Sequence, residues 1–435
     1  MEKYTKIVIG LLFLILAVII RFWPASPPVL TVAICADSYW GVPDGHPTAI
    51  WEKAIEKFQT QHPNVQVKLI AGVQKADYGE WLAERLLSGQ EPDVFLIPRE
   101  DFDNYASKEA VLPLNNLIEA DSDFDTTLYY PVSLQSGQLG STFYALPMES
   151  VPTLMFVNKT MLKDYQIPLP SPTWTWQDFY SICQQTTKDT NGDGKLDTFG
   201  AYGYTWQQAA LDNNILLFQT DGNNRIAHFE GPDLEAAIHF IRSLQELNQG
   251  YRPTARDFDL GHIAFRPLTF AEYRTYQPYP WRVKKYSSFD WDVVPFPAGP
   301  AGQNLSHVDT MLMGISRHSK NPQLAWELLK TFSYNHDVQK LILTNSLGLP
   351  VRNDILTEAD SQVSFQQSMG ATNQNLTLSA IHTIMLEAVP EPVFRQNQEA
   401  MEKANSFITR IIEENLPLNN NLNQLQREIN SLLLQ

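Results

Sequence analysis

The sequence predicts an α/β protein with a mostly parallel sheet and a body of two lobes. Its 435 residues exceed the size of one ordinary domain, which favours two packed units. Strands and helices alternate at the start of the body, and this order is typical of parallel sheets. Hydrophobic residues make up 43% of the chain, which is enough for packed cores.

The alternation begins with three strands and two helices. Apolar patterning predicts the strands over residues 29–36, 65–69 and 92–98. The first helix opens at Pro47 and carries Trp51 on its apolar face, and the second ends at Gly89. Ligands bind such sheets in the loops beyond the carboxyl ends of the strands. Those loops are residues 37–41, 72–78 and 98–103.

The rest of the chain continues this mixture of elements. The sequence pattern changes near residues 144–149, ahead of a strand predicted over 153–157. Residues 170–172, Pro-Ser-Pro, resemble a linker. Thr173 or Thr175 is a candidate cap for the helix that follows. Helical patterns occupy residues 211–218, 232–247, 322–332, 338–343, 377–384, 397–413 and 422–434. Strands are predicted at residues 290–297 and 312–315, with a turn at 348–352.

The N-terminus has the pattern of an export segment. Lys3 and Lys6 precede an unbroken apolar run over residues 7–20, and Phe22 and Trp23 then suit a membrane–water interface. Neither a small-residue cleavage site nor a lipid-attachment cysteine follows the run. We therefore expect residues 1–27 to be an uncleaved signal anchor, with the body outside the membrane. A cleaved signal peptide is the alternative.

Composition excludes several classes of function. The net charge of −16 disfavours nucleic acids and anionic membrane surfaces as partners. The two cysteines, Cys35 and Cys183, do not make a disulfide framework, although one bridge between them stays open. The sequence lacks zinc-ligand spacing, a nucleophile elbow and a glycine-rich phosphate loop, which disfavours several classes of enzyme.

An acidic loop over residues 189–197 predicts a calcium site. Oxygen-bearing side chains stand at alternate positions and Gly194 permits a tight turn, which is the spacing of an EF-hand loop. The twelfth position is Gly200 instead of glutamate, so a structural ion is expected and a calcium sensor is not. The expected ligands are Asp189, Asn191, Asp193, Asp197 and the carbonyl of Lys195. An Asx-rich turn that binds no metal is the alternative.

The order of several motifs resembles the extracellular solute-binding proteins of ABC importers. The motifs are Pro-Asp-Val-Phe at 92–95, Tyr-Ala-Leu-Pro at 144–147, Phe-Val-Asn-Lys at 156–159, the tryptophan-rich segment 172–179, segment 316–326 and the turn 348–352. The match is specifically to the sugar-binding, maltose-binding-protein-like family, and it covers most of the chain from Leu30 to about Asn353. No single motif decides the match, but their order and spacing make it specific.

This resemblance implies a periplasmic-binding-protein-like fold, with two α/β lobes joined by a multi-strand hinge. The first lobe would comprise residues 28–146 and 298–348, and the second residues 147–297 and 349–435, including the acidic loop. Hinge crossings would fall near residues 145–149, 296–299 and 349–352.

The resemblance also implies a function. A monomeric binding protein would capture a carbohydrate between its lobes and deliver it to an ABC permease without chemistry. A secreted glycoside hydrolase and a ligand-sensing partner of a membrane receptor are the alternatives. The chain departs from the family at Tyr279, where a Gly-x-Trp segment is usual, and in lacking a lipid-attachment cysteine.

Seven residues are candidates for ligand contact. Sugar pockets combine flat aromatic faces with fixed polar groups, and charged acceptors form the stronger hydrogen bonds. The aromatic candidates are Tyr39, Trp40, Trp206 and Trp281, and the carboxylate candidates are Asp93, Glu149 and Asp309. For each, packing, capping or solvation is the competing interpretation. For Asp93 a structural cap is the favoured one.

Overall fold

The computed structural model describes residues 27–44, 47–221, 224–275, 289–369, 377–394 and 396–434. The predicted signal anchor therefore lies almost entirely outside the described residues. Within those ranges, no helix combines the length and the apolar character that crossing a membrane requires.

The body is a mixture of strands and helices throughout. The strands are β1 (Val29–Cys35), β2 (Gln66–Val73), β3 (Val94–Ile97), β4 (Gln138–Leu139), β5 (Thr142–Phe143), β6 (Leu146–Asn158), β7 (Phe199–Ala201), β8 (Phe218–Asp221), β9 (Asn224–Ala227), β10 (Ile263–Thr269), β11 (Trp291–Val294), β12 (His307–Ile315), β13 (Leu349–Pro350) and β14 (Val389–Pro390). The helices are α1 (Ala49–Gln61), α2 (Lys75–Ser88), α3 (Phe102–Ser107), α4 (Asn115–Ala120), α5 (Pro131–Gln135), α6 (Lys159–Asp164), α7 (Trp176–Thr186), α8 (Trp206–Asp212), α9 (Pro232–Leu247), α10 (Ala255–Asp259), α11 (Phe270–Thr275), α12 (Pro322–Ser333), α13 (His336–Asn345), α14 (Ala359–Met369), α15 (Leu378–Glu387), α16 (Asn397–Glu413) and α17 (Leu418–Leu433).

One large sheet runs through the molecule in the order β2-β1-β3-β12-β6-β10-β7. β1 is parallel to both β2 and β3, as the alternation of strands and helices predicted. β12 then inserts antiparallel between β3 and β6, and β6 is also antiparallel to β10 and β11. The prediction of a mostly parallel sheet is therefore wrong for the sheet as a whole, which is mixed, because the strands that cross between the lobes run against their neighbours. Every residue of β3 is buried, because its apolar side chains face packed layers on both sides of the sheet.

The hinge is built on β6, which serves both lobes. Its first part, from Leu146 to Pro152, pairs with β12, and its second part, from Thr153 to Val157, pairs with β10. Sequence patterning predicted a strand only over the second part. The structure extends it backwards through the predicted crossing as one strand of 13 residues. β13 also pairs with β6 beside the crossing, at the turn that the sequence placed at residues 348–352.

Separate hydrophobic cores stabilise the two lobes. The first draws its members from β1, α1, α2, β3, α12 and α13, and the second from α7, α9, β10, α16 and α17. A third core, which includes Phe156 and Tyr273, packs around the hinge. Fully burying one such side chain contributes about 1.5–3 kcal/mol. Cys35 lies in the first core and Cys183 in the second, and both thiols are free.

Local signals explain several helix ends. α7 begins with a capping box, in which Thr175 accepts from the Asp178 amide and Asp178 accepts from the Thr175 amide. α2 ends at Gly89, whose φ of 64° is left-handed. The helix predicted over residues 211–218 is wrong: α8 ends at Asp212 and strand β8 begins at Phe218.

Candidate ligand-binding cleft

A cavity of about 880 Å³ lies between the lobes and has the size of a small-molecule site. The first lobe contributes Arg99, Phe102 and residues 135–140, the hinge contributes Thr153 and residues 307–312, and the second lobe contributes residues 205–219, Arg225 and residues 389–401, with gaps in each run. A ligand in this cavity would touch both lobes, so its binding would favour a closed arrangement.

The hinge strands form the back of the cleft. His307 and Val308 open β12 and pair with Val389 and Pro390 of β14. This pairing brings residues 389–393, far along the chain, to the same wall as the start of β12. The cleft is therefore assembled from segments that are distant in sequence.

The second-lobe wall is the first turn of α8. Thr205 caps this helix by accepting from the Gln208 amide, so Gln207 and Gln208 emerge beside the cavity. The side chain of Gln208 donates to Asp212 at 2.8 Å, and the Tyr204 hydroxyl donates to the same carboxyl at 2.5 Å. Burial raises the pKa of Asp212 well above its ordinary value. This buried network fixes the α8 wall from behind.

The charges of the wall cancel. Among the described lining residues, the cleft holds two arginines, Arg99 and Arg225, and two carboxylates, Asp309 and Glu391. Arg99 pairs with Asp309 at 2.7 Å, and Glu391 lies 3.8 Å from His307. Burial lowers the pKa of His307, which favours its neutral form. The wall therefore suits a neutral ligand better than an ion.

One ion pair spans the cleft from lobe to lobe. Arg225 on β9 of the second lobe meets Asp103 on α3 of the first lobe at 2.5 Å. The guanidinium also lies 5.1 Å from the ring centre of Phe394. Burial raises the pKa of Asp103, although the neighbouring Arg225 opposes the rise. This pair, which we name the interlobe ion pair, favours approach of the two lobes.

Tyr39, Trp40 and Glu149 come together in an adjoining pocket of the first lobe. The Trp40 indole donates to Glu149 at 2.5 Å, and the Ser346 hydroxyl donates to the other carboxylate oxygen. Burial raises the pKa of Glu149 to about 7. The ring of Tyr39 meets Trp40 edge-on, with centroids 5.0 Å apart.

A further cavity of about 590 Å³ connects this group to the cleft. Tyr39 lines it together with Arg99 and Asp309, and the last two also line the cleft. Asp309 is thus on the cleft wall, and its contact with a ligand stays a prediction. Tyr39, Trp40 and Glu149 lie beside it.

Two other candidates are held away from the cleft. The carboxylate of Asp93 accepts from Thr31 at 2.9 Å and from Ser319 at 2.6 Å, so it ties β1 to the loop after β12. It precedes β3, at the opposite end from Arg99. Trp206 is 5% exposed, packs in the second core and donates its indole N–H to Asn405. Its apolar area contributes more in the core than at a wet surface.

Trp281, the remaining aromatic candidate, lies outside the described residues. The acidic loop is described. Asp189 accepts from the amides of Gly192 and Gly194, and Asp197 accepts from Thr190 and Asn191. Across the part of the chain that the structure covers, no three carboxylate, histidine or cysteine side chains are grouped as a metal site would require. Calcium binding by the loop stays a prediction.

Several cleft residues had no signal in the sequence. Gln207, Gln208 and Arg225 are ordinary polar residues of a helix and a hairpin when the chain is read alone. Only the tertiary fold places them on one wall. The strand-end rule named residues 98–103, and Arg99 and Phe102 of that loop line the cavity.

Comparison with known proteins identifies the family. The profile of the family described as bacterial extracellular solute-binding protein matches residues 43–340, which is more than half of the chain.

Similar solved structures agree with this fold. The cyclic alpha-maltosyl-1,6-maltose binding protein from Arthrobacter globiformis is 15% identical, with a TM-score of 0.77, covering 94% of this chain and 99% of that one. The sugar-binding protein MalE from Xanthomonas citri is 14% identical, with a TM-score of 0.73 and coverage of 93% and 97%. An ABC substrate-binding protein from Listeria monocytogenes in complex with cycloalternan is 18% identical, with a TM-score of 0.68 and coverage of 93% and 98%. With a two-lobed fold, an interlobe cleft and a family profile that spans both lobes, the chain belongs to the bacterial extracellular solute-binding proteins.

Proposed function

We propose that this protein captures a neutral oligosaccharide between its lobes and delivers it to an ABC permease. The main support for this proposal is the chemistry of the cleft wall, which is rich in amide and hydroxyl side chains and holds equal numbers of arginines and carboxylates. Gln135, Gln138, Thr153, Gln219 and Thr310 line the cavity in addition to the α8 glutamines. Amide and hydroxyl groups can both donate and accept, which matches the hydroxyl groups of a sugar.

The similar structures support a carbohydrate as the ligand class. One of them is named as binding a cyclic maltosyl-maltose, one is in complex with cycloalternan, and one is a sugar-binding protein. A cavity of about 880 Å³ has room for several sugar units. Among the described residues, the aromatic side chains of the lining are Phe102 and Phe218.

Binding without chemistry is the better proposal for this cleft. A glycoside hydrolase needs a carboxylic acid and a second carboxylate that flank the scissile bond. The described carboxylates of the wall, Asp309 and Glu391, instead face Arg99 and His307. Arg99 occupies one side of the Asp309 carboxylate, and Glu391 lies beside His307, so the two carboxylates are held by protein groups and do not form a free pair that flanks a ligand. This arrangement supports a binding role.

Attachment to the outer face of the membrane completes the proposal. The charged and apolar pattern of residues 1–27 supports an uncleaved signal anchor, with the cleft outside the cell. A permease on the same membrane would then meet the loaded lobes. A fusion of residues 1–27 to a reporter enzyme, assayed on both sides of the membrane, tests the anchor and its orientation.

The function is tested by calorimetry of the purified body with a panel of neutral oligosaccharides, including maltotriose, mannotriose and a cyclic glucan. We expect saturable binding of at least one member and no new reducing ends after long incubation. Absence of binding across the panel would refute the carbohydrate proposal, and release of reducing ends by the pure protein would refute the non-enzymatic one.

A further inference from the structure

Gln207 carries an acceptor that the described protein leaves without a donor. Its Nε2 donates to the Asn405 side-chain oxygen at 2.5 Å, which holds the amide in one orientation. Its Oε1 is buried and has no hydrogen-bond partner among the described residues. A buried oxygen without a donor costs free energy, so this position favours the arrival of an N–H or O–H group.

Gln208 is the next residue along α8, and both hydrogens of its side-chain amide are used in hydrogen bonds within the protein. Nε2 donates to Asp212 at 2.8 Å and to the Leu305 carbonyl at 3.3 Å. The Leu305 carbonyl can only accept, so turning the amide over would set Oε1 against another acceptor. The residue is 8% exposed and lines the cleft. What it offers to a ligand is therefore its carbonyl oxygen.

We propose that Gln207 and Gln208 act together as an acceptor pair that selects ligands by their free hydroxyl groups. This inference rests on the proposed function. It adds that the second lobe supplies the hydrogen-bond acceptors and that the ligand supplies the donors. A ligand hydroxyl would donate to each oxygen. A ligand that is methylated or carries a carboxylate at these positions has no proton to donate, and it would leave both oxygens unpaired. Such sites discriminate strongly because the loss falls on buried polar groups.

Asp212 is the positioning residue of this pair. One carboxyl oxygen of Asp212 accepts a hydrogen bond from the Gln208 amide, and the other accepts one from the Tyr204 hydroxyl. Asp212 is fully buried. It does not line the cleft. Its role is to keep the Gln208 carbonyl directed away from the core.

The test uses the full body and the oligosaccharide of the panel that binds most tightly. Gln207→Met and Gln208→Met keep the length of each side chain but remove its oxygen. Gln185→Ala, on the exposed surface of α7, is the control. We expect each methionine variant to weaken binding about tenfold or more, and the control to bind as the wild type does.

Ligand analogues in which one hydroxyl is replaced by fluorine supply the second arm. Fluorine removes the donor at similar size, so one or more analogues should weaken binding to the wild type but add little loss in a methionine variant. Equal losses in wild type and variants, or methionine variants with unchanged affinity, would overturn the inference. Failure of the whole panel to bind would instead refute the proposed function. If Gln208→Met lowers the melting temperature, Gln207→Met, whose amide has a single described partner, decides the result.

Discussion

Replacing Glu149 with glutamine should remove a pH dependence from the stability of the protein. The carboxylate is 5% exposed and lies on the hinge strand β6, between the Trp40 indole and the Ser346 hydroxyl. Burial is the largest cause of its raised pKa, and Asp44 adds to the rise. The hydrogen bonds from Ser346 and Trp40 and the charge of Arg274 oppose the rise without cancelling it.

The magnitude follows from the two pKa values. The ordinary pKa of 4.5 applies to the unfolded chain, and the folded value is about 7. Because Glu149 binds its proton more tightly in the folded protein than in the unfolded chain, protonation of Glu149 favours folding. The resulting stability is fully present below pH 4.5 and is lost as the pH rises to 7. One pKa unit corresponds to about 1.4 kcal/mol, so the loss across this window is about 3 kcal/mol. Above pH 7 the penalty of the buried charge is constant.

Urea unfolding followed by tryptophan fluorescence, from pH 4.5 to 8.5, measures this effect. Glu149→Gln keeps the oxygen that accepts from Trp40 and cannot ionise, while all other titrating groups are shared with the wild type. We expect the two proteins to approach each other at the acid end and the variant to be more stable by about 3 kcal/mol at pH 8. Parallel pH profiles, or a wild type that is the more stable protein at pH 8, would refute the reasoning.

Three other predictions concern the lobes, the acidic loop and the packing behind the cleft. Asp103→Asn should remove the charge of the interlobe ion pair, destabilise the closed form by about 1 kcal/mol, and increase the ligand-free radius in small-angle scattering. Asp337→Asn, within the first lobe, should leave the radius unchanged, and equal radii for both variants would contradict the prediction. Calcium should raise the melting temperature relative to chelator, and Asp193→Ala should abolish the difference; identical melts of the wild type would show a metal-free turn. Gly302→Ala should destabilise by about 1–3 kcal/mol in thermal melts, because the added Cβ would lie 1.8 Å from a backbone oxygen, whereas Gly72→Ala, with open space, should not.

The helices that the sequence predicted best are those with a long apolar stripe. α9 and α16 have the predicted bounds, because their apolar residues repeat at helical spacing over four turns or more. The region 211–218 failed because its apolar residues serve two short elements. Leu211 lies in the last turn of α8, and Phe218 starts strand β8. A short apolar run does not distinguish a helix end from a strand start.

The position of a cleft residue was predictable only where it depends on the neighbouring strand and not on segments that are distant in sequence. The loop containing Arg99 follows from the carboxyl end of β3, and it lines the cleft. Asp309 was chosen as a carboxylate before a predicted strand; it lies within β12 and also lines the cleft. Trp206 was chosen for its ring, but tryptophan gains more from burial in the second core. The α8 glutamines become distinctive only when Asn405 and Leu305, which are distant in sequence, fix their amides.

The insertion of β12 between β3 and β6 also constrains how the polypeptide acquires its structure after synthesis. The first core contains residues from Leu30 to Met148 and then from Met311 to Val351, so its sheet stays incomplete until some 160 intervening residues have emerged. During export the N-terminal strands would cross the membrane long before their partner does. Pairings between remote strands form slowly, so an exported chain of this design remains open to helper proteins and proteases until β12 arrives.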